Sequence, residues 1–302
     1  MSPWRWVLFV LLVGQSGCGS CDFGREVSGG AALVVHVEPV LDQTPPSLRP
    51  IVLEPRWAQD HLRSAMAVAG SSRREISPEI EAGSLLSIRP RLTYGFALAD
   101  GLQATPSPGD VVVRWQVVAR LTVERAPELA FEYGTEHLHR VPFPGGDAEA
   151  ALRQAVLASL APLCERLLQS ATVAAGTQTS LRDALTSPDI STRRIAADRV
   201  GQLRLRGLAP VVGLQLAAET DEALRLRLIG LSGELGDPAT VPALIAQAEL
   251  KDRPRLLAVM DALSRLGGAR VEEFFDVLSS HDDPEIRGLV EAARGRAESE
   301  HP

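Results

Sequence analysis

Asparagine is missing from all 302 residues, and Lys251 is the sole lysine. Arginine therefore supplies nearly every positive charge, a bias that points to a GC-rich coding sequence and not to a phosphate site. The net charge is −7 and the isoelectric point lies near 5.5, which argues against a nucleic-acid partner, since that would favour a basic face. Cysteine occurs only as Cys18, Cys21 and Cys164, too little for a disulfide framework. Glycines form no phosphate loop: neither Gly-x-Gly-x-x-Gly nor the Walker pattern follows a strand. The esterase elbow Gly-x-Ser-x-Gly and the zinc motif His-Glu-x-x-His are absent too. These absences leave no catalytic constellation and no cofactor to expect.

What the N-terminus does carry is Arg5, an apolar run from Trp6 to Val13, and then Gly14-Gln15-Ser16-Gly17-Cys18. Eight apolar residues are too few for a bilayer core of ~30 Å, which takes about 20. A short apolar run followed by small residues is the pattern of an export signal that is removed. Ser-Gly ahead of a cysteine resembles the bacterial lipobox, in which signal peptidase II cuts before a cysteine that is then acylated. Gln15 departs from it, standing where an aliphatic residue is usual. The resemblance implies a signal peptide over residues 1–17 and lipidation, with palmitate-type chains, at Cys18. It implies a protein anchored in the cell envelope and facing the periplasm, at the outer membrane before the inner. Two alternatives stay open: acylation at Cys21, or ordinary cleavage near Gly19 or Ser20 that releases a periplasmic product.

Residues 18–30 are Gly- and Ser-rich and lack apolar periodicity, as a flexible tether would. Residues 31–175 read as an α+β domain. Leu33, Val35 and Val37 alternate with Val34, His36 and Glu38 in a first strand that stops at Pro39. Trp57 to Val68 has helical spacing, with Trp57, Leu62, Met66 and Val68 partly on one face. Leu86, Ile88, Leu92, Tyr94, Phe96 and Leu98 form one face of a long strand, and Pro90 within it predicts an edge or a bulge. Val111, Val113, Trp115, Val117, Ala119, Leu121 and Val123 repeat the alternation, which predicts a sheet with one buried face. Leu129 to His139 gives a further strand. Asp147 caps a helix whose Leu152, Val156, Leu160, Leu163 and Leu167 share a stripe, with Pro162 predicting a kink. The expectation is one antiparallel sheet covered by two helices. That order loosely resembles small envelope lipoprotein domains, including the lipoprotein plug of the lipopolysaccharide-assembly translocon; topology alone does not carry function.

Asp189, Asp221, Asp252 and Asp283 recur every 31 or 32 positions, each opening an Ala/Leu-rich helical run. Arg193, Arg225 and Arg287 stand four residues after three of them; in the third unit Arg255 comes one position early and Leu256 takes the slot. With Leu235-Gly236-Asp237-Pro238 and Val241-Pro242-Ala243-Leu244-Ile245 completing the best unit, residues 178–302 resemble the short bacterial HEAT-like repeats. The other units are degraded: Gln202-Leu203 lacks Gly-Asp, and the third has Leu266-Gly267-Gly268. The resemblance implies an all-α solenoid, in which single helix pairs have too little core and neighbours must stack. The aspartates are then expected as helix caps, and the arginines as partners in a ladder of Asp and Arg down the stack. That ladder is structural before it is a ligand site, and binding falls to exposed residues of the second helices. The last unit has a single helix and reads as a polar cap.

His137-Leu138-His139 lies on a strand, so both imidazoles share a face. They read as a solvated strand end, or as a metal pair if a third ligand came near; no metal is expected. His36 reads as a surface residue, Glu272-Glu273 as solubilising charges, and Cys164 as a buried thiol, against a disulfide with Cys21. The expected function is a membrane-anchored, non-enzymatic scaffold whose HEAT-like repeats bind another envelope protein. The alternative is a lipid- or glycolipid-binding component of an envelope assembly or transport complex, acting through the α+β domain. An enzyme using the two histidines is a third reading.

Overall fold

In the computed structural model, which describes residues 33–49, 51–72, 84–98, 101–103, 105–106, 108–123 and 126–300, the chain divides into two compact units, Met1–Ala175 and Gly176–Pro302. The expected signal peptide, the tether, Cys18 and Cys21 lie outside the described residues.

The first unit runs β1 (Val34–Val37), β2 (Leu41–Asp42), α1 (Pro55–Ser72), β3 (Leu85–Leu98), β4 (Gly101–Gln103), β5 (Gly109–Val123), β6 (Ala126–Phe143) and α2 (Ala148–Ala174). The sheet order is β1-β3-β5-β6, with β2 and β4 also on β3. It is a mixed sheet and not the wholly antiparallel one expected. β3, β5 and β6 are antiparallel, but β1 and β2 pair with β3 in parallel. The cause is α1, which carries the chain back between β1 and β3 so that both run the same way.

Alternation builds the core. Val111, Val113, Trp115, Val117, Ala119 and Leu121 are all buried, in register with Phe96, Tyr94, Leu92, Pro90, Ile88 and Leu86. Helix α1 covers this face with Ala58, Leu62 and Met66, and α2 with Leu152, Val156, Leu160, Leu163 and Leu167. Each leucine, valine or methionine among them contributes about 1.5–3 kcal/mol. Val68 is 65 % exposed and leaves the α1 stripe; Trp57 instead lies under the Arg153 guanidinium, 5.0 Å from its ring centre. Two polar contacts fix the layers. Trp115 Nε1 donates to Ser159 Oγ at 2.8 Å. Tyr94 Oη accepts from the Leu53 N–H and donates to Asp42 Oδ2. Asp147 Oδ1 caps α2 by accepting from the Ala150 N–H, and the helix continues through Pro162 to Ala174. Cys164 is free and buried, and burial pushes its thiol up to about 12.

Pro90 is not at an edge, because β3 has neighbours on both sides. Carbonyls of Ser84, Ile88 and Leu92 accept from the β1/β2 side, so Pro90, on the same parity, turns its donor-free nitrogen there as well. It faces the break between β1 and β2, where β3 has no partner residue, and no ladder bond to β5 is lost.

The second unit is all helical: α3 (Gln178–Leu185), α4 (Ile190–Gln202), α5 (Ala209–Ala218), α6 (Glu222–Leu235), α7 (Val241–Ala246), α8 (Arg253–Leu266), α9 (Ala269–Ser279) and α10 (Pro284–Glu300). Packing follows two rows. Helices α4, α6, α8 and α10 touch in sequence, as do α3, α5, α7 and α9, and members of one row also meet members of the other. Neighbours within the first row close tightly where side chains are small: a Cβ on Gly233 of α6 would lie 2.9 Å from Ala262 Cα on α8.

Candidate interaction surface

The recurrent aspartates cap the first-row helices. Asp189 accepts from the Thr192 N–H at 2.8 Å, Asp221 from Leu224 at 2.9 Å, Asp252 from Arg255 at 3.1 Å, and Asp283 from Glu285 at 2.9 Å. The arginine four residues on reaches backwards, not to its own aspartate. Arg193 Nη1 donates to the Ser187 and Pro188 carbonyls, Arg225 Nη2 to the Glu219 carbonyl, and Arg287 Nη1 to the His281 and Asp282 carbonyls. Each arginine thus satisfies carbonyls of the loop that delivers the chain into its helix. In the third unit Leu256 is fully buried in that slot, and Arg255 pairs with the carboxylates of Glu249, Asp252 and Glu222 instead.

A ladder of ion pairs joins successive first-row helices. Arg227 meets Asp198 at 2.7 Å, Arg255 meets Glu222 at 2.8 Å, Arg253 meets Asp283, and Arg296 meets Asp261 at 3.5 Å. Its most enclosed member is Glu219, whose side chain is fully buried. Burial opposes its charge, but the fork of Arg193 at 2.8 and 2.9 Å, the Asp221 N–H and the Gln215 amide outweigh that and lower its pKa to about 2. No sequence pattern singles out Glu219. The equivalent positions are Ser187, Leu250 and His281, so no period marks it.

The turn chemistry explains both the good repeat and the poor ones. Gly236 ends α6 in the left-handed region at φ 69°, and Asp237 then accepts from the Ala239 N–H. Where Gly-Asp is lacking after Gln202-Leu203, Arg204 takes the left-handed conformation at φ 48°, at a steric cost glycine would not meet.

The middle of the second row differs. Helices α5 (APVVGLQLAA) and α7 (VPALIA) contain no charged residue, and they touch one another. Val212, Leu216, Val241 and Leu244 are buried between the rows, while Pro210, Leu214, Ala217, Pro242 and Ala246 face outward. Leu214 is 73 % exposed, and Val277 on the adjacent α9 is 68 % exposed. An uncharged, largely apolar outer surface on neighbouring helices is the kind of patch that marks an interaction site.

In the first unit His137 and His139 share a face, but it is the inner one: they stand opposite the buried Trp115 and Val113. Both are half-buried, with Nε2 enclosed and unpartnered. They are not a solvated strand end, because β6 places its odd-numbered residues from Phe131 to Phe143 toward the core side. Burial, with Arg166 and His139 nearby, holds the His137 imidazole below its usual value. Among the described residues no group of three or more His, Cys, Asp or Glu could hold a metal ion. His36 Nδ1 lies 3.4 Å from Ser87 Oγ, and Glu272 pairs with Arg294. No helix of the described residues is long and apolar enough to cross a membrane.

No family model and no curated protein matches the chain. Among solved structures, a chain described as "a putative lipoprotein from Caulobacter crescentus" is similar at 14% identity and a TM-score of 0.25, covering 45% of this chain and 87% of that one. A likeness of that size carries no argument about what this chain does.

Proposed function

We propose that this chain is a lipid-anchored envelope protein whose helical unit is a HEAT-like solenoid that binds another protein through its second row. The observation that carries this reading is the uncharged outer surface of α5 and α7, on which Leu214 is the most exposed large side chain. The stack is held elsewhere, by the capping aspartates, the loop-clamping arginines and the first-row ion pairs, so the apolar surface has no part in holding it. Cys18 is the proposed acylation site, which places the units at the periplasmic side of a membrane, the outer one by preference. No catalytic role is proposed.

The test is cross-linking and affinity capture in the native envelope, comparing the wild type with Leu214→Glu and Cys18→Ala. A protein captured by the wild type and lost with Leu214→Glu, at unchanged thermal stability, supports the surface. Capture that is indifferent to Leu214→Glu contradicts it. Labelling with an alkynyl palmitate must likewise disappear in Cys18→Ala, or the anchor lies elsewhere.

A further inference from the structure

Among the described residues β6 is the end strand of the sheet, and such an edge offers a row of backbone donors and acceptors to another chain. Its second half contains Glu136-His137-Leu138-His139-Arg140, which is self-complementary when reversed about Leu138. We infer that β6 pairs antiparallel with β6 of a second copy of this chain, about a two-fold axis at Leu138.

The backbone parity permits it. The Glu136 carbonyl accepts from Arg166 Nη1 at 3.2 Å, so Glu136 turns its peptide groups to the open edge. Leu138 and Arg140 share that parity and do the same. In the proposed register Leu138 faces the partner's Leu138, and Glu136 faces the partner's Arg140, each as a narrow pair exchanging two hydrogen bonds. Arg166 must swing off Glu136 to admit the partner. Pro142, which has no N–H, bounds the ladder.

The side chains agree on both faces. On the outer face Leu138 is 49 % exposed, an apolar residue among charges, and it gains its own copy as neighbour. Glu136 already pairs with Arg114 at 3.1 Å, and Arg140 with Asp110 at 3.3 Å. Pairing therefore joins Arg114, Glu136, the partner's Arg140 and the partner's Asp110 into one alternating row of charge, on each side of the axis. Opposite charges facing across strands stabilise, and like charges destabilise. On the inner face His137 comes opposite the partner's His139. Their enclosed Nε2 atoms, which lack partners in the single chain, then have imidazole donors and acceptors beside them. No other five-residue stretch of β6 combines charge reversal, an apolar centre and matched inner residues in this way.

The experiment uses the full chain. Light scattering coupled to size exclusion is expected to give a dimer, and Leu138→Cys is expected to form an intermolecular disulfide on mild oxidation. Narrow-pair Cα atoms lie about 5.5 Å apart, within the range a disulfide spans. The wild type under the same oxidation sets the background from its own cysteines. Arg140→Glu is expected to weaken the dimer roughly tenfold by setting like charges opposite each other, and Glu136→Arg combined with Arg140→Glu to restore it. Leu138→Pro, which removes an edge-facing donor without touching the β5 ladder, is expected to give a monomer. A wild type that is monomeric at every concentration overturns the inference. So does a dimer that survives both Leu138→Pro and Arg140→Glu, since its interface then lies elsewhere.

Discussion

In the second unit, the first row of helices and the middle of the second row, α5 and α7, differ sharply in charge. The first row carries Asp198, Glu222, Arg227, Asp261, Arg253 and Arg296, and ion pairs run from each helix to the next. In the second row, α5 and α7 carry no charge at all. Both rows bury leucine and valine against each other, so the core does not account for the difference. What differs is the outer surface. Exposed ion pairs contribute little individually, about 0–1 kcal/mol, but they keep one face of the stack solvated and in register. The outer surface of α5 and α7 is left uncharged, with Leu214 exposed on it, a cost to solubility that the proposed partner would remove. Residues that hold the unit together are thus distinct from those on the proposed binding surface.

The sharpest way to break the first row is to leave its buried carboxylate alone. Arg193→Met strands Glu219, and losing one partner of a buried pair costs about 3–5 kcal/mol. Hydrogen exchange should show α4, α6 and the loop between α5 and α6 opening together. Gly233→Ala comes next. The added methyl would sit 2.9 Å from the Ala262 backbone, so α6 and α8 must part, at about 1–3 kcal/mol, read as a fall in the midpoint of urea unfolding.

Acid should act on the same row. The Glu219 pKa is lowered from the usual 4.5 to about 2. A lowered folded value means stability that is fully present above about 4.5 and lost as pH falls toward 2. Melting temperature should drop across that window, and Glu219→Gln should flatten the drop while lowering stability at neutral pH. The smallest effect has the opposite sign. Arg204→Gly relieves a left-handed residue and should raise stability by at most about 1 kcal/mol, because glycine's extra freedom in the unfolded chain offsets part of the gain.

Residue patterns disclosed these features unevenly. The period of two over Val111 to Val123 marks a half-buried strand, because each step of a strand flips the side chain. It says nothing of strand direction, so the parallel pairing of β1 depends on α1 and could not be read from alternation. In β6 the inward row contains Thr135, His137 and His139 while Leu138 points outward, so polarity misreports the face. The irregularity between Leu121 and Val123 further hides the parity of β6 relative to β5. The aspartates were legible as caps because capping is local. The arginines' true acceptors were not, since carbonyls of a preceding loop carry no sequence signature. The α5–α7 surface was visible in part: two runs without charge stand in the sequence, but only the fold shows that Leu214 faces out while Leu216 faces in.

The proposed partner meets α5 and α7 of the second row, and not the first row. A photo-reactive side chain at Leu214 on α5, compared with one at Gly230 on α6 where an added Cβ meets open space, tests this in the native envelope. A discrete protein adduct from position 214 and none from 230 is the predicted result. Adducts from 230 alone, or none from 214, would contradict it.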